Sequence, residues 1–144
     1  MRRLWLSAVL MLCGCEILHP PGETPKNAST VVNGADHKKI FAMVERVFQG
    51  AGFQLTQTQM AELVFERPGT QADKIKYGDW DGTGVMMRAK VTLRQRGEAA
   101  TLDCRVYVVR SHGGLNESEI PVSMGYRTEY QSLMDDVQRR LAGR

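Results

Sequence analysis

Apolar residues recur at the three- and four-residue spacing of an amphipathic helix in two segments, one near each end of the range 36–144. The first segment follows Asp36, a candidate N-cap, ends at Gly50 and Gly52, and has the apolar positions Ile40, Phe41, Val44, Val47 and Phe48. The second runs from about Thr128 to Ala142, with the apolar positions Tyr130, Leu133, Met134, Val137 and Leu141. Each pattern predicts a helix with one buried face.

Four segments between these helices are typical of strands. Residues 53–56 and 61–67 are short, and Pro68 ends the second of them. Residues 85–94 and 100–109 alternate, with apolar side chains at Val85, Met87, Ala89, Val91 and Leu93, and at Ala100, Leu102, Cys104, Val106 and Val108. A turn at 95–98 predicts Leu93 opposite Ala100 and Val91 opposite Leu102. Both apolar sets then lie on one side of an antiparallel sheet.

The same register predicts the cross-strand neighbours on the other side of the sheet. Lys90 is expected opposite Asp103, an attractive pair, and Arg88 opposite Arg105. This outer side is therefore expected to contact water or an acidic partner. Cys104 is expected on the inner side, where a buried thiol acts as a small hydrophobic group.

The first 15 residues have the composition of an export signal. Arg2 and Arg3 precede an uncharged run over 4–12, which is shorter than the roughly 20 residues that a membrane-spanning helix needs. Leu12-Cys13-Gly14-Cys15 resembles the bacterial lipobox, although Cys13 stands where alanine or serine is commoner. The resemblance implies cleavage before Cys15 and acyl chains on that cysteine. A C-x-C metal or redox site would need ligands that do not follow nearby, and an uncleaved membrane-associated helix is the other alternative.

The domain boundaries follow from these patterns. We expect a lipoprotein signal peptide at 1–14, the lipidated cysteine and a flexible tether at 15–35, and one globular domain at 36–144. Prolines, glycines and small polar residues fill the range 16–35, and a flexible chain of this length would hold the domain roughly 25 Å from the lipid. Glu16 is not the aspartate that retains many lipoproteins at the inner membrane, which favours the outer membrane facing the periplasm.

The order of elements predicts an α+β fold. It is a two-layer sandwich of about four antiparallel strands, with an N-terminal and a C-terminal helix packed on one face. This order over residues 36–142 resembles the helix-grip domains of envelope lipoproteins, including accessory lipoproteins of outer-membrane protein assembly. The resemblance lies in the order of elements alone and implies no functional residue.

Charge and cysteine content restrict the function further. The chain has 19 basic and 16 acidic residues, and removal of residues 1–14 takes away two arginines and no acid. The remaining chain is nearly neutral, which argues against a nucleic-acid partner. Cys104 would be the one cysteine left in the folded part, so no internal disulfide is expected.

The segment KIKYGDWDGTG at 74–84 is the most unusual loop candidate. Asp79 and Asp81 match part of a calcium-binding EF-hand loop, but Tyr77 and Arg88 occupy the places of its first and twelfth ligands. No metal is therefore expected. Tyr77 and Trp80 could form a partner-binding surface; alternatively, the tryptophan folds back on the edge of the sheet.

Catalysis has little support in the sequence. The histidines, His19, His37 and His112, fall in the tether, at a helix start and in a glycine-rich loop, and no nucleophile, phosphate-loop or paired-cysteine motif is present. We expect no enzyme and no cofactor.

Two functions stay open at this level. The first is a structural or interaction lipoprotein that binds another envelope protein, with Tyr77, Trp80, Arg88 and Arg105 as partner-binding candidates. The second is a binding module for a lipid or small hydrophobic ligand between helices and sheet. The bulky residues expected to point inward favour the first function, because they can fill a small core: Phe41, Phe48, Phe53, Phe65, Leu93 and Leu133.

Overall fold

The computed structural model describes residues 26–78, 84–122 and 124–143. Its elements run in the order β1 (Ala28–Asn33), α1 (His37–Gly50), β2 (Gln54–Thr58), β3 (Glu62–Pro68), α2 (Gln71–Tyr77), β4 (Met86–Arg96), β5 (Ala99–Arg110), β6 (Ser118–Pro121) and α3 (Arg127–Leu141). A 3-10 turn, Met124–Tyr126, leads into α3. Cys15 and Trp80, two of the predicted site residues, lie outside the described residues.

The strands form one antiparallel sheet in the order β1-β5-β4-β3-β2. One edge of β5 is shared, because β1 pairs with residues 99–104 and β6 with residues 107–110. Helices α1 and α3 contact each other and pack on one face of the sheet. The predicted α+β class is confirmed, but the described sheet has six strands where about four were expected, and α2 is an additional helix.

Strand β1 comes from the region that was predicted to be a tether, so that prediction is wrong for residues 28–33. Ala28, Thr30 and Val32 are buried, and the residues between them are exposed. The prolines and glycines that precede β1 are typical of a tether, so this short alternation of buried and exposed positions was not recognised in the sequence. β1 is stable because it pairs with β5, which lies far away along the chain.

The hairpin of β4 and β5 is tighter than expected. A two-residue turn, Gly97 and Glu98, connects the strands, and Gly97 has φ +60°, which suits a tight hairpin. Leu93 therefore pairs with Leu102, not with Ala100. The register differs by two residues from the predicted one. An even shift keeps every side chain on its predicted face and changes its partners.

An aromatic cluster fills the space between the sheet and both helices. Phe48 of α1 stacks on Phe65 of β3 with ring centroids 4.7 Å apart, and Phe53 meets Phe48 edge-on at 5.6 Å. Tyr130 of α3 lies 6.0 Å from Phe53. These rings and Leu93 are buried as predicted, whereas two residues expected to point inward are only half-buried, Phe41 and Leu133.

The predicted first helix and the predicted position of Cys104 are confirmed. The carboxylate of Asp36 accepts a hydrogen bond from the backbone N–H of Lys39 at 2.8 Å and so caps α1. Cys104 is fully buried on the helix-covered face of the sheet. Burial raises the pKa of its thiol to about 12, so the sulfur stays protonated and behaves as an apolar group.

Helix α2 occupies part of the segment 74–84, so the predicted loop is wrong for residues 74–77. Thr70 and Asp73 form a reciprocal capping box, in which the Asp73 carboxylate accepts from the Thr70 backbone N–H at 2.7 Å. The three-residue spacing of Thr70 and Asp73 is typical of a capping box and could have predicted the start of this helix. The helix has only seven residues and no apolar periodicity, so the pattern of hydrophobic positions did not reveal it.

Candidate interaction surface

The sheet face that points away from α1 and α3, here called the outer face, carries a band of charged side chains. Strands β3, β4 and β5 place them there because they alternate with the core positions. The charged residues of the outer face are Glu62, Glu66, Arg88, Lys90, Arg94, Arg96, Asp103 and Arg105. Two of these charged side chains, those of Glu66 and Asp103, are buried.

Arg88 is the centre of an ion-pair network. Its guanidinium donates to Glu66 of β3 at 2.5 Å, to Glu119 of β6 at 2.6 Å and to Glu117 at 2.8 Å. Two further contacts, Lys90 to Glu119 at 2.7 Å and His112 to Glu66 at 2.9 Å, complete the Arg88 cluster, which comprises Glu66, Arg88, Lys90, His112, Glu117 and Glu119. The cluster fastens the loop 111–117 and β6 to the outer face.

The hydrogen bonds in the Arg88 cluster favour the charged forms. Burial disfavours the charge of Arg88, but its bonds to the three glutamates outweigh burial and raise the pKa of Arg88. The backbone N–H of Gly113, followed by Arg88, lowers the pKa of Glu117. Desolvation opposes the ionisation of Glu119, and bonds from Lys90 and Arg88 reverse this and lower its pKa. The carboxylates outnumber the lysine and arginine, so this part of the outer face does not favour an acidic partner.

Asp103 forms a second polar cluster, between β1, β4 and β5. It accepts from the hydroxyl of Ser29 at 2.8 Å and pairs with Lys26 at 3.0 Å and with Arg94. Desolvation acts to raise the pKa of Asp103, but the bonds from Ser29 and Lys26 bring it below its usual value. The start of β1 is therefore tied to the centre of the sheet.

A polar cleft of about 430 Å³ lies between α2 and the start of α3. The Tyr126 hydroxyl donates to Asp73 at 2.5 Å, and Arg67 pairs with Glu129 at 2.8 Å across the cleft. Burial opposes the charge of Asp73, yet the bonds from Tyr126 and Thr70 lower its pKa. The polar groups of this cleft are thus largely bonded to one another.

The predicted site residues do not form one surface. Arg88 and Arg105 share the outer face, but Arg88 lies opposite Tyr107 and Arg105 lies opposite Lys90, so the predicted pairing of the two arginines is wrong. Tyr77 is the last residue of α2 and is half-buried, with its ring 6.1 Å from that of Tyr126. Its carbonyl accepts from the Arg110 guanidinium.

The carboxylates were the residues that sequence reasoning missed. Glu66 lies on the outer face by simple alternation within β3, and this could have been predicted. Its burial could not, because one of its two charged or polar partners among the described residues, His112, belongs to the loop that follows β5. The same holds for Glu117 and Glu119, which reach Arg88 only after β6 pairs with β5.

The described ranges contain no group of three His, Cys, Asp or Glu side chains arranged to hold a metal ion. No helix within them is both long enough and apolar enough to cross a bilayer. His37 bonds the Met60 carbonyl at 2.8 Å, so both described histidines contact the protein itself.

No protein-family model matches this chain, and no curated protein sequence matches it.

Proposed function

We propose that this chain is a bacterial envelope lipoprotein, anchored to a membrane by acyl chains on Cys15, whose α+β domain is a non-catalytic structural or interaction module. The Leu12–Cys15 motif after a basic and then apolar segment carries the proposal. Each buried methylene of an acyl chain contributes about 0.8 kcal/mol, so two or three chains hold a protein at a bilayer stably. Glu16 favours the outer membrane, with the domain facing the periplasm.

The early start of the folded domain supports a short distance to the membrane. The described fold begins at Lys26, eleven residues after Cys15. A polypeptide spans at most about 3.6 Å per residue, so the domain stays within about 40 Å of the lipid. A partner would therefore be a protein in the same membrane or close to its surface.

The outer face is the surface that best fits a protein partner. Glu117 and Glu119 expose 28% and 29% of their side chains while Arg88 holds them in place. Fixed carboxylates can select a basic surface, because their orientation is set before the partner arrives. Arg105 and Tyr107 extend the same face along β5.

The alternative is a binding module for a lipid or small hydrophobic ligand between helices and sheet. The packing of Phe48, Phe53 and Tyr130 in that space favours the interaction module, because these rings already contact one another there. Native mass spectrometry of residues 26–144 separates the two functions. A copurifying apolar ligand would support the alternative.

The anchor is tested by metabolic labelling with an alkynyl fatty acid in the native cell. Cys15→Ala should abolish labelling and release the domain from the membrane fraction. Cys13→Ala is the matched control, because that cysteine leaves with the signal, and it should label normally. Retained labelling of the Cys15 variant would refute the anchor.

The partner surface is tested by photocrosslinking in living cells. A benzoylphenylalanine at Tyr107 preserves an aromatic ring on the outer face, and the same group at the exposed Ser132 of α3 is the control. We expect a discrete crosslinked membrane protein at position 107 and none at position 132. Identical crosslinks at both positions would contradict an outer-face partner.

A further inference from the structure

Two edge strands of the sheet, β1 and β2, differ in how their outer backbone groups are hydrogen-bonded. At β1, the carboxamide of Gln131 accepts from the Ser29 N–H at 3.2 Å and donates to the Ser29 carbonyl at 2.9 Å. Gln138 donates to the Val31 carbonyl at 3.0 Å. A glutamine carboxamide has the same donor and acceptor as a peptide group, so α3 supplies β1 with the bonds of a neighbouring strand.

At β2, no side chain of the described residues covers the edge in this way. The N–H of Gln59 bonds the Glu62 carbonyl at 2.8 Å, so the backbone groups of its neighbour Thr58 point away from β3 by the alternation of an antiparallel ladder. The side-chain bond from Thr56 of β2 to the Val64 carbonyl also points inward. Within the described ranges, no hydrogen bond closes the outer edge of Gln54–Thr58.

β2 also lacks the residues that usually prevent pairing at an edge. Its sequence, QLTQT, contains no lysine, no other charge and no proline. Proteins commonly protect open edges with charge or proline. β2 has a bulge between Leu55 and Gln57, which increases local twist and limits the regular stretch available for pairing.

Two apolar side chains beside this edge are only partly covered by the rest of the domain. Leu55 of β2 is half-buried, and so is Phe41 of α1. The Phe41 ring lies 4.2 Å from that of His37, which bonds the turn between β2 and β3, so Phe41 is on the flank of α1 above β2. A strand added to β2 would cover both side chains.

We propose that the edge of β2 is a dimer interface with a second copy of this chain. Two-fold symmetry brings β2 against β2 antiparallel, so the unpaired backbone groups of each copy satisfy those of the other. The neutral sequence creates no like-charge repulsion between identical strands. Leu55 and Phe41 of each copy contact Leu55 and Phe41 of the other copy. Two identical chains therefore supply all the groups that the interface needs.

The dimer does not depend on the lipid anchor. The edge, its flank and its turn all lie within residues 37–62, so the isolated domain should dimerise in solution. Confinement to a membrane would raise the effective concentration and strengthen the same contact. Loss of acylation and loss of dimerisation are therefore separate results.

The mass of residues 26–144, which include every described element, is measured by light scattering over a concentration series. The domain should reach twice its monomer mass as concentration rises. Thr58→Lys places a charge at the exposed edge and should keep the domain monomeric, whereas Val31→Lys, on the exposed side of the glutamine-covered β1, should dimerise normally. Circular dichroism verifies that both variants fold. A wild-type monomer at the highest soluble concentration, or an unaffected Thr58→Lys dimer, would overturn the proposal.

A cysteine crosslink tests the geometry independently. Gln57→Cys lies near the proposed two-fold axis and should form a disulfide-linked dimer on mild oxidation, because paired strands bring such side chains within bonding distance. Val31→Cys is the control and should remain a monomer. The buried Cys104 does not interfere. Equal crosslinking at both positions, or none at Gln57→Cys, would contradict pairing through β2.

Discussion

Asp103 of β5 accepts a hydrogen bond from the Ser29 hydroxyl of β1 at 2.8 Å, although 74 positions separate them in the sequence. The contact joins the first strand to the longest one and places residues before 36 inside the fold. Thr30 and Val32 continue the same strand toward the start of β5. The folded unit therefore includes a segment whose upstream neighbours have the composition of a tether.

A chain that begins at Asp36 should be less stable than one that begins at Lys26. Removal of β1 exposes one edge of β5 and loses the burial of Ala28 and Val32. Burial of one valine contributes about 1.5 to 3 kcal/mol, and the lost strand pairing adds to this. Thermal unfolding monitored by circular dichroism should give a clearly lower midpoint for the shorter chain. Equal midpoints would show that β1 contributes nothing.

Asp103→Asn should lower the free energy of unfolding by about 2 kcal/mol. The substitution keeps the side-chain size but removes the charge that strengthens the bonds from Lys26 and Arg94, and a hydrogen bond to a charged group contributes about 1.5 to 3 kcal/mol. Asp136→Asn is the control, because its carboxylate makes only i,i+3 and i,i+4 pairs on α3. Such pairs contribute about 0.5 kcal/mol. Urea unfolding of both variants gives the comparison, and equal losses would contradict a special role for Asp103.

Local patterning predicted most of the helices and strands but not the contacts between distant segments. Alternation in 85–94 and 100–109 gave the correct buried face, because period two survives any even shift of register. The actual partners depend on the Gly97 turn, whose length the composition of 95–98 does not define. β1 could not be assigned, since it is short and pairs with β5, which lies far away along the chain.

Arg88→Met should destabilise the domain by about 3 kcal/mol. Glu66 is buried, and without the guanidinium its carboxylate would lose its principal partner. Removal of one member of a buried ion pair is strongly destabilising, because the other charge remains desolvated. Arg96→Met, at the exposed end of β4, is the matched control and should cost well under about 1 kcal/mol. If both variants unfold at the same urea concentration, Arg88 is not the centre of a stabilising network.

Acid should destabilise the wild-type protein more than the Arg88→Met variant. Glu117 and Glu119 have a pKa below the ordinary 4.5 in the folded state, and Asp103 has one below 3.8. Groups of this kind stabilise the fold above those ordinary values, and the contribution disappears as pH falls through the lower folded-state values. Without Arg88, Glu117 keeps the bond from the Gly113 N–H and Glu119 keeps the bond from Lys90, but both lose the part of the pKa lowering that Arg88 supplies. Urea unfolding between pH 7 and pH 3 should show a smaller gap between the two proteins in acid, and a constant gap would contradict the network.

The candidate surface was only partly predictable, because it too depends on contacts between distant segments of the chain. Alternation placed Arg88 and Arg105 on the outer face correctly. The sequence pattern did not indicate that Arg88 is enclosed by glutamates, because two of them follow a glycine-containing loop and reach it through tertiary contacts. Tyr77 belongs to another part of the molecule because α2 turns it toward Tyr126.

Cys104 should not react with iodoacetamide in the native protein at pH 8. Its thiol is fully buried, and burial raises its pKa to about 12, so the reactive thiolate is scarce and shielded from solvent. In urea the same thiol should be alkylated rapidly, with one adduct for residues 26–144 by mass spectrometry. Val31→Cys supplies a matched exposed thiol on the neighbouring strand and should be alkylated in both conditions. Rapid native alkylation of Cys104 would mean that β5 is accessible through local opening, contrary to a closed core between the sheet and both helices.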